Sequence, residues 1–203
     1  ATGMFGKVLN AMDDYGCNGK TSTSGVDRMF VMCKHVFYNE TWIDQGAPDS
    51  PAGLATNSTG DDPAEYTTSL IGNATLRWMR SIVEANKPLP KQARRPFFAW
   101  IGPHAPHLPS TPAPWYQNHP VGNLSVVREP NYGVLGADKH AFYPDEPVIS
   151  APGDPGTHAG NSDEEKIQDE YSRRMRSLLS VDDIVRDVRE YLIEQNEWNN
   201  TIM

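Results

Sequence analysis

Two stretches of helical period dominate the apolar pattern of the chain. Tyr66, Leu70, Ala74, Met79, Ile82 and Val83 approximate one helical face. Asp62-Pro63-Ala64-Glu65 precedes them and reads as a helix start, with Asp62 placed to cap, Pro63 at the first helical position and Glu65 as capping-box partner. Lys87-Pro88 ends the element. Further on, Ile167, Tyr171, Met175, Leu178, Val181, Val185, Val188 and Leu192 recur every three or four residues and predict a long helix over 163–196. Acidic residues crowd its start, where they complement the helix dipole.

Strand signals are shorter. Phe97 to Ile101 is a continuous apolar run that stops at Gly102-Pro103 and predicts a buried strand. Gly3 to Leu9, Arg28 to Cys33, Val36 to Tyr38 and Thr41 to Ile43 read as further short strands, with a turn at Tyr38-Asn39-Glu40. The Gly, Pro, Ser and Asp content from Gln45 to Gly60 predicts surface loop. Residues 110–160 are irregular and too long for an ordinary connection, so they are expected to form functional surface or to pack against parts outside the chain. A last apolar run opens at Thr201-Ile202-Met203. The expectation is one partial domain over 1–203, internal to a longer protein, in which alternating strands and helices build an α/β layered fold.

Composition narrows the function classes. With 203 residues, 38% of them hydrophobic and 22% charged, the chain can bury a core and is not disordered throughout. A net charge of −8 argues against a general nucleic-acid surface. No apolar run approaches the length of a membrane span. Cys17 and Cys33 are compatible with one disulfide or two free thiols. Acceptor sequons for N-glycosylation at Asn39, Asn57, Asn73, Asn123 and Asn199 favour the secretory route.

The candidate chemistry begins just after the Phe97 run. His104 and His107 sit on a loop stiffened by Pro103, Pro106 and Pro109, beyond a strand end, where open α/β sheets bind ligands. They could ligate a metal, bind an oxyanion or act in acid/base catalysis. Zinc would need three or four converging ligands, and the two cysteines lie far off without CxxC spacing. The plain alternative is a structural proline-rich loop. Lys7, between Gly6 and Val8-Leu9, needs an anion or water for its ammonium, or else snorkels from an edge strand. Lys139-His140 reads as an anion contact or a plain surface pair. Asp182 and Asp183 are neighbours on a helix and point in different directions, so they read as structural. Arg173, Arg174 and Arg176 read as a salt-bridged helix face.

Four segments, in order along the chain, carry a resemblance: FGKVLN at Phe5 to Asn10, PFFAWIGPHAPHLP with PAPWY over Pro96 to Tyr116, DKH at Asp138 to His140, and RRMRSLLSVDDIV over Arg173 to Val185. Together they resemble the sulfatase family of the alkaline-phosphatase-like superfamily, in its glucosamine-sulfatase branch. The resemblance implies an α/β catalytic domain with a central mixed sheet flanked by helices, here incomplete at both ends. It implies that Lys7 and His107 bind the sulfate ester, with His104, Lys139 and His140 as further substrate-binding residues.

It also implies calcium and a formylglycine nucleophile, both expected outside this chain. Neither Cys17 nor Cys33 is followed by the family's Pro-x-Arg pattern, so the chain alone is expected to be inactive. Leu9 stands where many family members carry a histidine, and that residue's acid/base role does not carry over. The implied substrate is a sulfated glycan, with 6-sulfated N-acetylglucosamine foremost, met outside the cell or in the lysosome. Two other readings remain: a phosphodiesterase or phosphotransferase of the same superfamily, and a secreted glycoprotein that binds sulfated sugars without catalysis.

Overall fold

The computed structural model describes residues 1–10, 17, 25–46, 55–122 and 163–203. Three parallel strands lie side by side at one end of its sheet. β1 (Thr2–Gly6) runs between β2 (Arg28–Met32) and β5 (Phe98–Gly102) and is parallel to both. β3 (Thr41–Gln45) and β4 (Ala55–Ser58) extend the sheet antiparallel beyond β2, in the order β4-β3-β2-β1-β5. The sheet is mixed, and the architecture is α/β.

Helix α1 (Thr67–Asn86) and helix α2 (Asp163–Glu194) cover one face of it. Phe5, Met32 and Trp42 from the strands meet Ile71, Trp78 and Met79 of α1 and Ile184, Val188 and Leu192 of α2 in one buried cluster. The two helices approach closely at Gly72, where an added Cβ would lie 3.0 Å from Ile184 Cγ1. Met29, Val31, Cys33 and Ile43 form a second, smaller cluster. Alternation along β2 accounts for both, since successive side chains point to opposite faces of a sheet. Among the described residues no helix is long and apolar enough to cross a membrane.

Several elements differ from the pattern in the sequence, each for a physical reason. β4 lies inside the stretch read as surface loop, because pairing with β3 and not an apolar run of its own creates it. Val36 to Tyr38 is not a strand. The carboxylate of the fully buried Glu40 accepts the N–H groups of Cys33, Lys34, Val36 and Thr41 at 2.7–3.0 Å, so this backbone bonds to a side chain instead of a ladder.

α1 starts later than its capping signal. Asp62 Oδ1 accepts the Ala64 N–H at 2.8 Å but caps a short 3₁₀ turn, Pro63–Glu65, and Glu65 reaches back to the Gly60 N–H at 2.8 Å. β5 is an edge strand, with Phe98 60% and Trp100 50% exposed, where the apolar run predicted burial on both faces. Its partner residues Ala99 and Ile101 pack towards the helices.

Cys17 and Cys33 form a disulfide, with Cα atoms 5.9 Å apart, which decides between the two states the sequence left open. It ties the segment after β1 to the end of β2 across a separation of 16 residues. Closing a loop of that size restricts the unfolded chain by about 3 kcal/mol. The Cys17→Ser, Cys33→Ser double variant should lose about that free energy in urea unfolding, with a lower midpoint. Added reductant should shift the parent protein to the same midpoint and leave the variant unmoved.

Candidate functional site

β1 and β5 converge at their carboxyl ends on two glycines. Gly6 and Gly102 are register partners, and Gly6 has φ +86. A Cβ on Gly6 would lie 2.2 Å from the Gly102 carbonyl oxygen, and one on Gly102 would lie 2.4 Å from that of Lys7. This close approach lets the Lys7 N–H donate to the Gly102 carbonyl at 2.6 Å. Trp100 Nε1 donates to the Lys7 carbonyl at 3.3 Å from the exposed side of β5. Lys7 is thereby fixed at the entrance to the loop that carries His104 and His107.

That loop is tightly wound. The peptide bonds before Pro106 and Pro109 are cis. The His107 N–H donates to the His104 carbonyl at 2.9 Å, and the Ser110 N–H to the His107 carbonyl at 2.7 Å. Ser110 is buried, and its hydroxyl donates to the Glu170 carboxylate, which anchors the loop to α2. Downstream, Tyr116 donates its hydroxyl hydrogen to Asp183 of α2 at 2.9 Å.

The two histidines have different surroundings. His104 is 4% exposed, lies edge-on to Phe37 at 4.8 Å and stacks on His107 at 4.9 Å. Burial holds the His104 imidazole well below the usual histidine range, at about 4, reinforced by the positive charges of His107, Lys7 and His35. The Leu108 carbonyl opposes this without meeting hydrogen-bond geometry to the ring, and among the described residues neither ring nitrogen has a hydrogen-bond partner. His104 is therefore neutral at neutral pH. A buried imidazole with both nitrogens unpaired is unfavourable, and such groups call for a ligand or a functional reason.

His107 is exposed, and its Nδ1 meets the Leu108 carbonyl at 2.9 Å. A carbonyl can only accept, so Nδ1 carries the hydrogen and Nε2 is left to exchange a proton or contact an anion.

Lys7, His35 and His104 follow β1, β2 and β5, which are parallel and lie side by side, and His107 stacks on His104. His35 was missed by sequence reasoning. It follows β2 by three residues and enters the site because β2 lies next to β1, a neighbour relation no local pattern reveals. Three adjacent parallel strands thus each deliver a cation-capable side chain beyond their carboxyl ends.

Lys139, His140 and Asn123 lie outside the described residues. Asn39, Asn73 and Asn199 are exposed, and Asn57 lies on β4. Arg173 and Arg174 pair with Asp169 and Glu170, and Arg176 donates to the His119 carbonyl. Asp183 takes Tyr116 and Arg186 while Asp182 is exposed, so neither forms a carboxylate pair with the other. Among the described residues no three His, Cys, Asp or Glu side chains are grouped to hold a metal ion. A groove of about 750 Å³ along the outer flank of β5, lined by Pro96, Phe98, Ile202 and Met203 among others, includes none of Lys7, His35, His104 and His107.

The profile of the sulfatase family matches residues 2–203. The chain is similar to N-acetylglucosamine-6-sulfatase from Bos taurus, Capra hircus and Homo sapiens, in each case 31% identical over 137 residues. Each match covers 68% of this chain and 21% of the relative, so the chain spans about a fifth of the length of these relatives.

Two measurements test this geometry. Gly102→Ala puts a methyl group against the Lys7 carbonyl, and the strand ends must separate; a loss of about 2 kcal/mol or more is expected in urea unfolding. The folded imidazole of His104 titrates below its unfolded value of about 6.5, so its contribution to stability is complete above that pH and is lost as pH falls towards 4. The loss should be on the order of 2 kcal/mol after allowance for solvent screening. His104→Gln should remove that part of the pH dependence, read from urea midpoints at pH 7.5 and 4.5.

Proposed function

We propose, from the premise that the chain belongs to the sulfatase family, that it supplies the sulfate-binding side of a sulfuric ester hydrolase acting on sulfated glycans, with 6-sulfated N-acetylglucosamine as the group cleaved. The observation that carries this reading is the convergence of Lys7 with the stacked His104–His107 pair at the end of β1 and β5. The similarity to N-acetylglucosamine-6-sulfatases supports the choice of sugar.

A sulfate monoester spreads one negative charge over three oxygens, and its bridging oxygen gains charge as the S–O bond breaks. The Lys7 ammonium offsets charge on the non-bridging oxygens. His107, protonated at Nε2, hydrogen-bonds the bridging oxygen and passes it a proton as the alcohol leaves. Neutral His104 stacks against the His107 ring and holds its orientation without adding a second charge to the site. His104 is thus a positioning residue, and His107 the proton donor.

Calcium and a formylglycine nucleophile belong to the family's chemistry, but the described residues do not fit either. Both cysteines are consumed in the disulfide, and the described carboxylates form no cage. The disulfide and the exposed sequons at Asn39, Asn73 and Asn199 support passage through an oxidising secretory compartment, with work outside the cell or in the lysosome.

In the complete protein, Lys7→Ala and His107→Ala should each lower kcat/KM for 6-sulfated N-acetylglucosamine by about a hundredfold or more, with unchanged circular dichroism. Retention of near-normal rates by both folded variants would remove the assignment. Enzymatic removal of N-linked glycans from the protein made in a eukaryotic secretory host should lower its mass by more than one glycan.

A further inference from the structure

The turn that carries His107 closes on one buried hydroxyl. The His107 backbone is held from both sides, its N–H by the His104 carbonyl and its carbonyl by the Ser110 N–H. Its ring is tied within the same turn, from Nδ1 to the Leu108 carbonyl. Ser110 ends the turn at φ 55, and a serine keeps that conformation where surrounding contacts fix it. Ser110 is fully buried. Its Oγ lies 3.0 Å from the Pro106 carbonyl and 3.3 Å from the His107 carbonyl, and it also meets Oε1 of Glu170 on α2.

A hydroxyl has one hydrogen to give, and a carboxylate takes it in preference to a neutral carbonyl. Glu170 is that charged acceptor, and its own place on α2 is set. Arg174 Nε donates to Oε1 at 3.0 Å, and Arg173 Nη2 lies 3.0 Å from Oε2. Burial works against ionisation of Glu170. The Ser110 hydroxyl, with Arg174 and Arg173, outweighs it and holds the carboxyl below the usual carboxylate range. The acceptor is therefore charged at neutral pH. Without it, the Ser110 hydrogen turns to a carbonyl of its own turn, and that turn loses its hold on α2 at this point.

We infer that Glu170 is a positioning residue for His107: through the Ser110 hydroxyl it fixes the turn that aims the imidazole at the leaving oxygen. The inference rests on the sulfatase reading, with His107 as proton donor, and extends it to a carboxylate on the long helix. Glu170 takes no part in the proton transfer itself. Its effect passes through Ser110 to the backbone on either side of the donor.

The test uses the complete protein with 6-sulfated N-acetylglucosamine as substrate. Glu170→Ala should lower kcat about tenfold and leave KM within about twofold, a share of what a general acid contributes. Ser110→Ala, which keeps the Cβ and removes only the hydroxyl, should do the same and carries the comparison if Glu170→Ala does not fold. The double variant should be no worse than either, since the two residues act as one unit. Glu170→Gln keeps an oxygen for the Ser110 hydrogen but loses the Arg173 ion pair. It should retain most of kcat, while its urea midpoint falls as that of Glu170→Ala does. In a His107→Ala background, Glu170→Ala should leave the residual kcat unchanged. Parent-like kcat in Glu170→Ala and Ser110→Ala, or an undiminished further loss in the His107→Ala background, would overturn the positioning role and leave the sulfatase reading in place. Near-normal rates in folded His107→Ala would remove the donor and the positioning role together. Failure of the unmodified protein to cleave the sugar would overturn the sulfatase reading itself.

Discussion

At Gly6 and Gly102 two backbones approach so closely that neither position has room for a Cβ. The rest of the candidate site depends on that contact. It permits the 2.6 Å hydrogen bond from Lys7 to Gly102, which brings an ammonium-bearing residue to the root of the histidine loop. A side chain at either glycine would separate the strand ends and carry Lys7 away from His104 and His107. The Trp100 indole N–H adds a second tie between the strand ends by donating to the Lys7 carbonyl. The interaction is local in space and very long in sequence, since it joins positions 7 and 102.

Around that contact the site is built by tethers from the helices and loops. Ser110 ties the histidine loop to Glu170 of α2, and Tyr116 ties the following turn to Asp183. Glu40 organises the loop after β2 from beneath. Each tether uses a polar group that burial would otherwise penalise, so satisfying the group and placing the loop are the same event. The long helix, distant from the chemistry in sequence, sets the position of the loop that carries it.

Burial also divides the labour between the two histidines. Both are imidazoles three residues apart, yet one is enclosed by Phe37 and its neighbour while the other is open to solvent. The enclosed ring stays neutral and the open one keeps a nitrogen for proton exchange. Two adjacent cations would repel each other and weaken the site they share. Enclosure of His104 avoids this, at the cost of two ring nitrogens without hydrogen bonds among the described residues.

Local sequence determined the two helices, the strand before the histidine loop, and the candidacy of Lys7, His104 and His107, because period, proline and charge act between near neighbours. It also carried the likeness to sulfatases in short segments such as FGKVLN and GPHAPHLP. Tertiary structure alone decided what depends on partners. β4 exists because β3 is there to pair with it, and Val36 to Tyr38 fails as a strand because Glu40 captures its amides. The exposure of β5 on one face, the union of Cys17 with Cys33 and the entry of His35 into the site follow from which strands lie side by side. Strand order is fixed by long-range hydrogen bonds and shared burial, and these leave no mark at short spacing along the chain.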